Sequence, residues 1–174
     1  MHFQPLTITV LTLGLALVGC RKQAVTAATS APVAQPALAA WQQGDRAGAV
    51  SSFITADWSA GPLFAPDSIL SLTEAEFSGR VKPRIPGFVR TGAIEAVRVQ
   101  MTKELATMKQ LAAAVAQAGR DAAATNDVAL ARKHFTSLQQ FAAALDTTNS
   151  LSILRLDGQA IKKRAERELA TLPQ

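Results

Sequence analysis

The sequence predicts an all-α protein made of antiparallel helical hairpins: a short N-terminal helix pair, then a three-helix up-down-up bundle. Three observations carry this reading. Alanine, the best helix former and a poor strand former, occurs 34 times in 174 residues. Aromatic residues make up only 5%, and tyrosine is absent. After residue 90, apolar residues recur three and four apart in three long stretches separated by short breaks. The length suits one domain with a workable hydrophobic core.

Residues 1–19 contain no Asp, Glu, Lys or Arg. Their apolar run, Leu6 to Val18, is broken only by Thr7, Thr9, Thr12 and Gly14. A helix from Pro5 to Gly19 would be ~22 Å long, against ~30 Å of bilayer hydrocarbon. That is the length of a signal-peptide core, and small Gly19 stands where a cut would fall. Cys20, the single cysteine, follows at once. One cysteine excludes an intrachain disulfide and a cysteine-based metal site.

Leu17-Val18-Gly19-Cys20 resembles the lipobox of bacterial lipoproteins at every position. The resemblance covers the first 20 residues. It implies removal of residues 1–19, attachment of a diacylglycerol to the Cys20 sulfur and, often, acylation of the new amino terminus. Each buried methylene contributes ~0.8 kcal/mol, so two or three long chains anchor a protein almost permanently. No Lys or Arg precedes the apolar run, as the family usually has; a short hydrophobic anchor with an incidental cysteine is the alternative. Arg21 stands where enteric-type sorting places an aspartate for retention at the inner membrane. The expected location is the cell membrane or outer membrane, with the body facing the periplasm or cell exterior.

Residues 20–36, the lipidated cysteine and a stretch of small residues with Pro32 and Pro36, read as a disordered tether. Such a segment separates anchor and body by ~20–25 Å on average. Residues 37–81 read as short helices: one over Ala37–Gln43, one from Asp45 to about Trp58, a break at 59–66, and a third beginning near Thr73. Thr73 with Glu76 three places on is a capping-box signature. Residues 82–90, with two prolines and a glycine, exclude regular structure. Residues 91–174 read as the bundle. Ile94, Val97, Met101, Met108, Leu111, Val115, Ala118 and Ala122 form its first stripe, with Glu104 in one seam position. Val128, Ala131, Phe135, Leu138, Ala142 and Leu145 form the second. Leu151, Leu154, Gly158, Ile161, Ala165, Leu169 and Leu172 form the third, with Asn149 or Ser150 expected as its cap. Short connections make neighbouring helices antiparallel.

Two turn regions echo each other. Gly44-Asp45 and Asn126-Asp127 pair a residue that tolerates a left-handed turn with an acid suited to a helix start. Ala49 and Ala131 follow at one position, Phe53 and Phe135 at another. The pattern resembles the second half of a tetratricopeptide repeat, and Gly119 agrees with the family's small position. The copies start 82 residues apart, not the ~34 of a tandem array. The resemblance therefore implies helical-hairpin geometry rather than a solenoid or a peptide groove, with independent αα-hairpin chemistry as the alternative.

No nucleophile elbow, zinc-protease motif, phosphate loop or dinucleotide fingerprint occurs. His134 is the one histidine beyond the signal segment, and it has no partner at a useful spacing. Glu74/Glu76 and Glu166/Glu168 read as solvated surface, because residues two apart on a helix point apart. Trp41, Trp58, Met101 and Met108 read as core. No catalytic residue, metal or cofactor is expected. A hydrolase with a composite site at Asp57 or Glu76 is the least favoured reading.

The net charge of +5 is too small and dispersed to point to nucleic acid, and the aromatic interleaving of single-strand binders is missing. Its one concentration lies between Glu76 and Glu95, where Arg80, Lys82, Arg84 and Arg90 occur without an acid. Such a loop suits an anionic lipid or cell-wall polymer. The leading expectation is a non-catalytic envelope lipoprotein that binds an envelope protein as a scaffold or assembly accessory, held to the membrane through Cys20.

Overall fold

The structure is a computed structural model that describes residues 31–81, 91–147 and 149–173. Among these it contains six α-helices: α1 (Gln35–Gln42), α2 (Arg46–Thr55), α3 (Glu74–Val81), α4 (Thr91–Ala124), α5 (Val128–Leu145) and α6 (Ser152–Thr171). A 3₁₀ turn spans Ile69–Ser71. No strand occurs among the described residues; one isolated antiparallel bridge joins Thr73 and Ser150. The fold is all-α, as composition and periodicity predict.

The echoed turns take one geometry. Gly44 (φ +85°) and Asn126 (φ +62°) are the positive-φ residues among those described. Gly44 and Asn126 donate their N–H groups to Trp41 and Ala123, three residues back. Asp45 and Asp127 donate theirs to Ala40 and Ala122, five back. This is a Schellman helix end, which satisfies the last carbonyls of α1 and of α4. Each aspartate then caps the next helix: the Asp45 carboxylate accepts from Gly48 N–H at 2.8 Å, and that of Asp127 from Leu130 N–H at 3.0 Å. Ala49, Ala131, Phe53 and Phe135 are all buried, each alanine allowing a close helix crossing and each phenylalanine filling the space beside it.

Three local expectations are corrected. The body begins before residue 37: Val33 and Ala34 donate to the carbonyls of Pro62 and Leu63, and α1 starts at Gln35 with a proline in its first turn. The second helix stops at Thr55, short of Trp58. Trp58 lies in the turn beyond, where its ring reaches the core: ring centroids are 4.6 Å apart for Phe53–Trp58, 4.8 Å for Trp58–Phe141 and 5.1 Å for Phe53–Phe141. Burying the tryptophan outweighs another turn of α2. Neither Asn149 nor Ser150 caps α6. Its N-cap is Leu151, and the Glu74 carboxylate of α3 accepts from the Ser152 N–H at 2.9 Å and from its hydroxyl at 3.0 Å.

The capping box of α3 forms in full: Thr73 N–H donates to Glu76 at 2.8 Å, and Glu76 N–H donates to the Thr73 hydroxyl at 3.2 Å. Glu104, the acid in the apolar seam of α4, accepts from the Ser68 hydroxyl at 2.6 Å and from Ile69 N–H at 3.1 Å. It thereby holds the start of the 3₁₀ turn against α4. Met108, Leu111 and Val115 of α4, with Phe135, Leu138, Phe141 and Leu145 of α5, make the centre of the core. Ile94, Val97 and Met101, nearer the start of α4, are half-buried.

Candidate functional site

Helices α4 and α6 both pack on α5 but scarcely close on each other. Lys109 Nζ meets Asp157 Oδ1 at 3.0 Å, and Arg120 meets Glu168 at 3.1 Å. Each second pair lies eleven residues beyond the first on its own helix, so α4 and α6 run parallel and in register over ~16 Å. Between the pairs lies a groove of about 320 Å³, lined chiefly by Ala112, Ala113, Ala116, Ala160 and Ile161, with Leu138 of α5 at its base. Alanines keep the groove shallow enough for another backbone to come close. Arg164 lines it and is in no ion pair among the described residues. Asp157 Oδ2 is buried and has no hydrogen-bond partner there.

The groove depends on how closely α6 approaches α5. A Cβ on Gly158 would lie 2.8 Å from the Ala142 carbonyl oxygen. On the other side of α5, a Cβ on Gly119 would lie 2.8 Å from the Phe135 ring. Neither Ala142 backbone nor the buried Phe135 ring has room to retreat.

Sequence-predicted site residues are scattered. Cys20, Lys82, Arg84 and Arg90 lie outside the described residues. Arg80, expected on the basic loop 79–90, is instead exposed in the last turn of α3, because that helix continues to Val81. Trp41 is half-buried rather than core, and the Arg46 guanidinium sits over its ring at 3.6 Å.

The carboxylates considered for chemistry serve as caps. The Ser59 hydroxyl, then its N–H, hold Asp57 below the usual carboxylate range. Thr73, chiefly through its N–H, does the same for Glu76, and Ser152 for Glu74. Glu74 and Glu76 are exposed, as expected, yet neither is idle. His134 is 4% exposed, and its Nδ1 has no hydrogen-bond partner. Burial, with Lys133 nearby, pushes its pKa down. Among the described residues, no group of three or more His, Cys, Asp or Glu is placed to hold a metal ion, and no helix is long and apolar enough to cross a membrane.

Sequence reasoning did not find the groove. Its alanines, Ala112, Ala113, Ala116 and Ala160, fall outside the apolar stripes, and nothing in the periodicity says that α4 and α6 stay apart. The available signal was the match of spacing between Lys109/Arg120 and Asp157/Glu168.

These features define an all-α protein of stacked helical hairpins with an apolar surface groove between two parallel helices. No protein-family model, curated protein or solved structure matches the chain.

Proposed function

We propose that the protein is a cell-envelope lipoprotein, anchored by acyl chains on Cys20, whose helical body binds another envelope protein as a scaffold or assembly accessory. The groove between α4 and α6 carries the binding half of this reading: it is chiefly apolar, uncovered among the described residues and edged by Arg164. An amphipathic helix with small residues along its apolar face and an acid opposite Arg164 fits that surface. The sequence Leu17-Val18-Gly19-Cys20 carries the anchoring half. The matched turns at Gly44 and Asn126 support a tetratricopeptide-like origin for the hairpins.

Cross-linking intact cells and recovering the tagged protein tests the role. A protein partner should exceed a tether-only control, and Ala113→Arg with Ala160→Arg, both at exposed groove positions, should remove it. If no partner exceeds the control, the scaffold role is wrong.

A second reading gives the basic segment the leading part. Arg80 is exposed and in no ion pair among the described residues. With Lys82, Arg84 and Arg90 it would engage an anionic bilayer or cell-wall polymer at about 1 kcal/mol per cation near the surface, screened by salt. Reversing all four charges should abolish sedimentation with anionic vesicles at low salt; unchanged sedimentation would rule this reading out.

A further inference from the structure

A second concavity lies away from the α4–α6 groove. The 61–64 loop, the segment from Leu70 to Thr73 and the α5–α6 turn enclose a cleft of about 370 Å³. Its floor is apolar: Trp58, Phe64, Leu70, Leu72, Leu145 and Leu154 are all buried. Among the described residues none that lines it is charged, in contrast to the groove with its Lys109, Asp157 and Arg164. An ion entering this cleft would exchange water for a wall that offers no opposite charge.

The polar rim is mostly committed. The Ser71 hydroxyl donates to the Pro66 and Ser68 carbonyls, and the Thr73 hydroxyl donates to Glu76. The Asn149 side-chain amide lines the cleft and makes no hydrogen bond among the described residues. It therefore offers both a donor and an acceptor at the mouth.

We propose that this cleft binds a small uncharged molecule: an apolar ring or short chain bearing one amide or hydroxyl group that pairs with Asn149. At about 30 Å³ per non-hydrogen atom, the share of a water molecule in the liquid, the cleft holds about a dozen such atoms. The geometry matches a preformed ligand site, with an apolar floor and few polar groups to fix orientation. The two sides of the cleft come from the N-terminal half and from α5–α6, joined beside it by the Thr73–Ser150 bridge and by Glu74 on Ser152. A ligand there touches both halves.

The test uses the full chain in lipid nanodiscs and ¹⁹F NMR. The probe is 4-fluoroacetanilide, a neutral aromatic amide of about the cleft's capacity. The comparison is 4-fluorophenylacetate, of similar size but anionic, and empty nanodiscs give the background. The neutral probe should show saturable line broadening, and the anion should bind at least about tenfold more weakly. Asn149→Ala should weaken the neutral probe about three- to tenfold, the worth of one hydrogen bond. Ala144→Phe, which fills the cleft from α5, should weaken it further. Ala113→Arg in the other groove should leave it unchanged. Absence of saturable broadening, equal binding of the anion, or sensitivity to Ala113→Arg would overturn the proposal. If circular dichroism shows Ala144→Phe unfolded, Asn149→Ala decides: unchanged binding in that variant overturns it too.

Discussion

The indole Nε1 of Trp58 donates to the Ser137 hydroxyl at 3.1 Å, 79 residues on in the chain. Ser137 in turn donates to the Phe53 carbonyl at 3.0 Å. One small hydroxyl on α5 thus satisfies two buried groups of the N-terminal hairpin and fixes how the hairpin sits on the bundle. Ser137→Ala leaves both unpaired and should cost about 1–3 kcal/mol in urea unfolding. Trp58→Phe in the Ser137→Ala background should cost less than in the parent, with a coupling of about 0.5–1.5 kcal/mol. Additive losses would mean that the bond does not join the two halves.

Gly158→Ala should destabilise the protein, although alanine is the better helix former by about 1 kcal/mol. The new Cβ meets the Ala142 carbonyl at 2.8 Å, so α6 must move off α5. Overpacking of this kind costs about 1–3 kcal/mol. Gly119→Ala meets a ring instead of a backbone, and Phe135→Leu should partly suppress its effect. Thermal unfolding of the three variants checks the difference.

The positive-φ positions predict a residue-specific pattern. Gly44→Ala places a Cβ in the left-handed region at a cost of about 1–2 kcal/mol. Gly44→Asn should cost less, because asparagine already holds the same conformation at Asn126. Equal losses for Ala and Asn in denaturant titrations would contradict the shared turn geometry.

Acid should weaken the fold in two stages. The folded-state pKa of His134 lies below its ordinary value of 6.5. The unfolded chain therefore binds its proton first, and stability present above pH 6.5 is lost as pH falls through and below that value. His134→Leu should flatten this limb. Glu74 is held below 4.5 by Ser152, so its contribution is present above that pH and is lost as pH falls through its lowered value. Glu74→Gln should shrink the second limb, to which Glu76 and Asp57 also contribute, and leave the first. Unfolding midpoints measured from pH 8 to 3 separate them.

Local chemistry was legible in the sequence, and long-range capping was not. The Thr73–Glu76 box, the two turn-and-cap aspartates and the three apolar stripes all act within a few residues, where spacing has a direct geometric meaning. Glu74 on Ser152 and Glu104 on Ser68 link residues 78 and 36 apart, and no periodicity encodes such pairs. Trp58 misled the reading of α2 because an aromatic residue after an apolar face extends the helical pattern, whereas the chain turns to bury it. The groove and the cleft arise from what the helices leave uncovered, which depends on packing of all three segments at once.

The anchor at Cys20 is the claim on which the envelope reading stands, and mass spectrometry of detergent-extracted protein tests it most directly. The account predicts a chain that begins at Cys20 and carries a diacylglycerol on its sulfur. A chain that retains Met1 with an unmodified Cys20 thiol would contradict it.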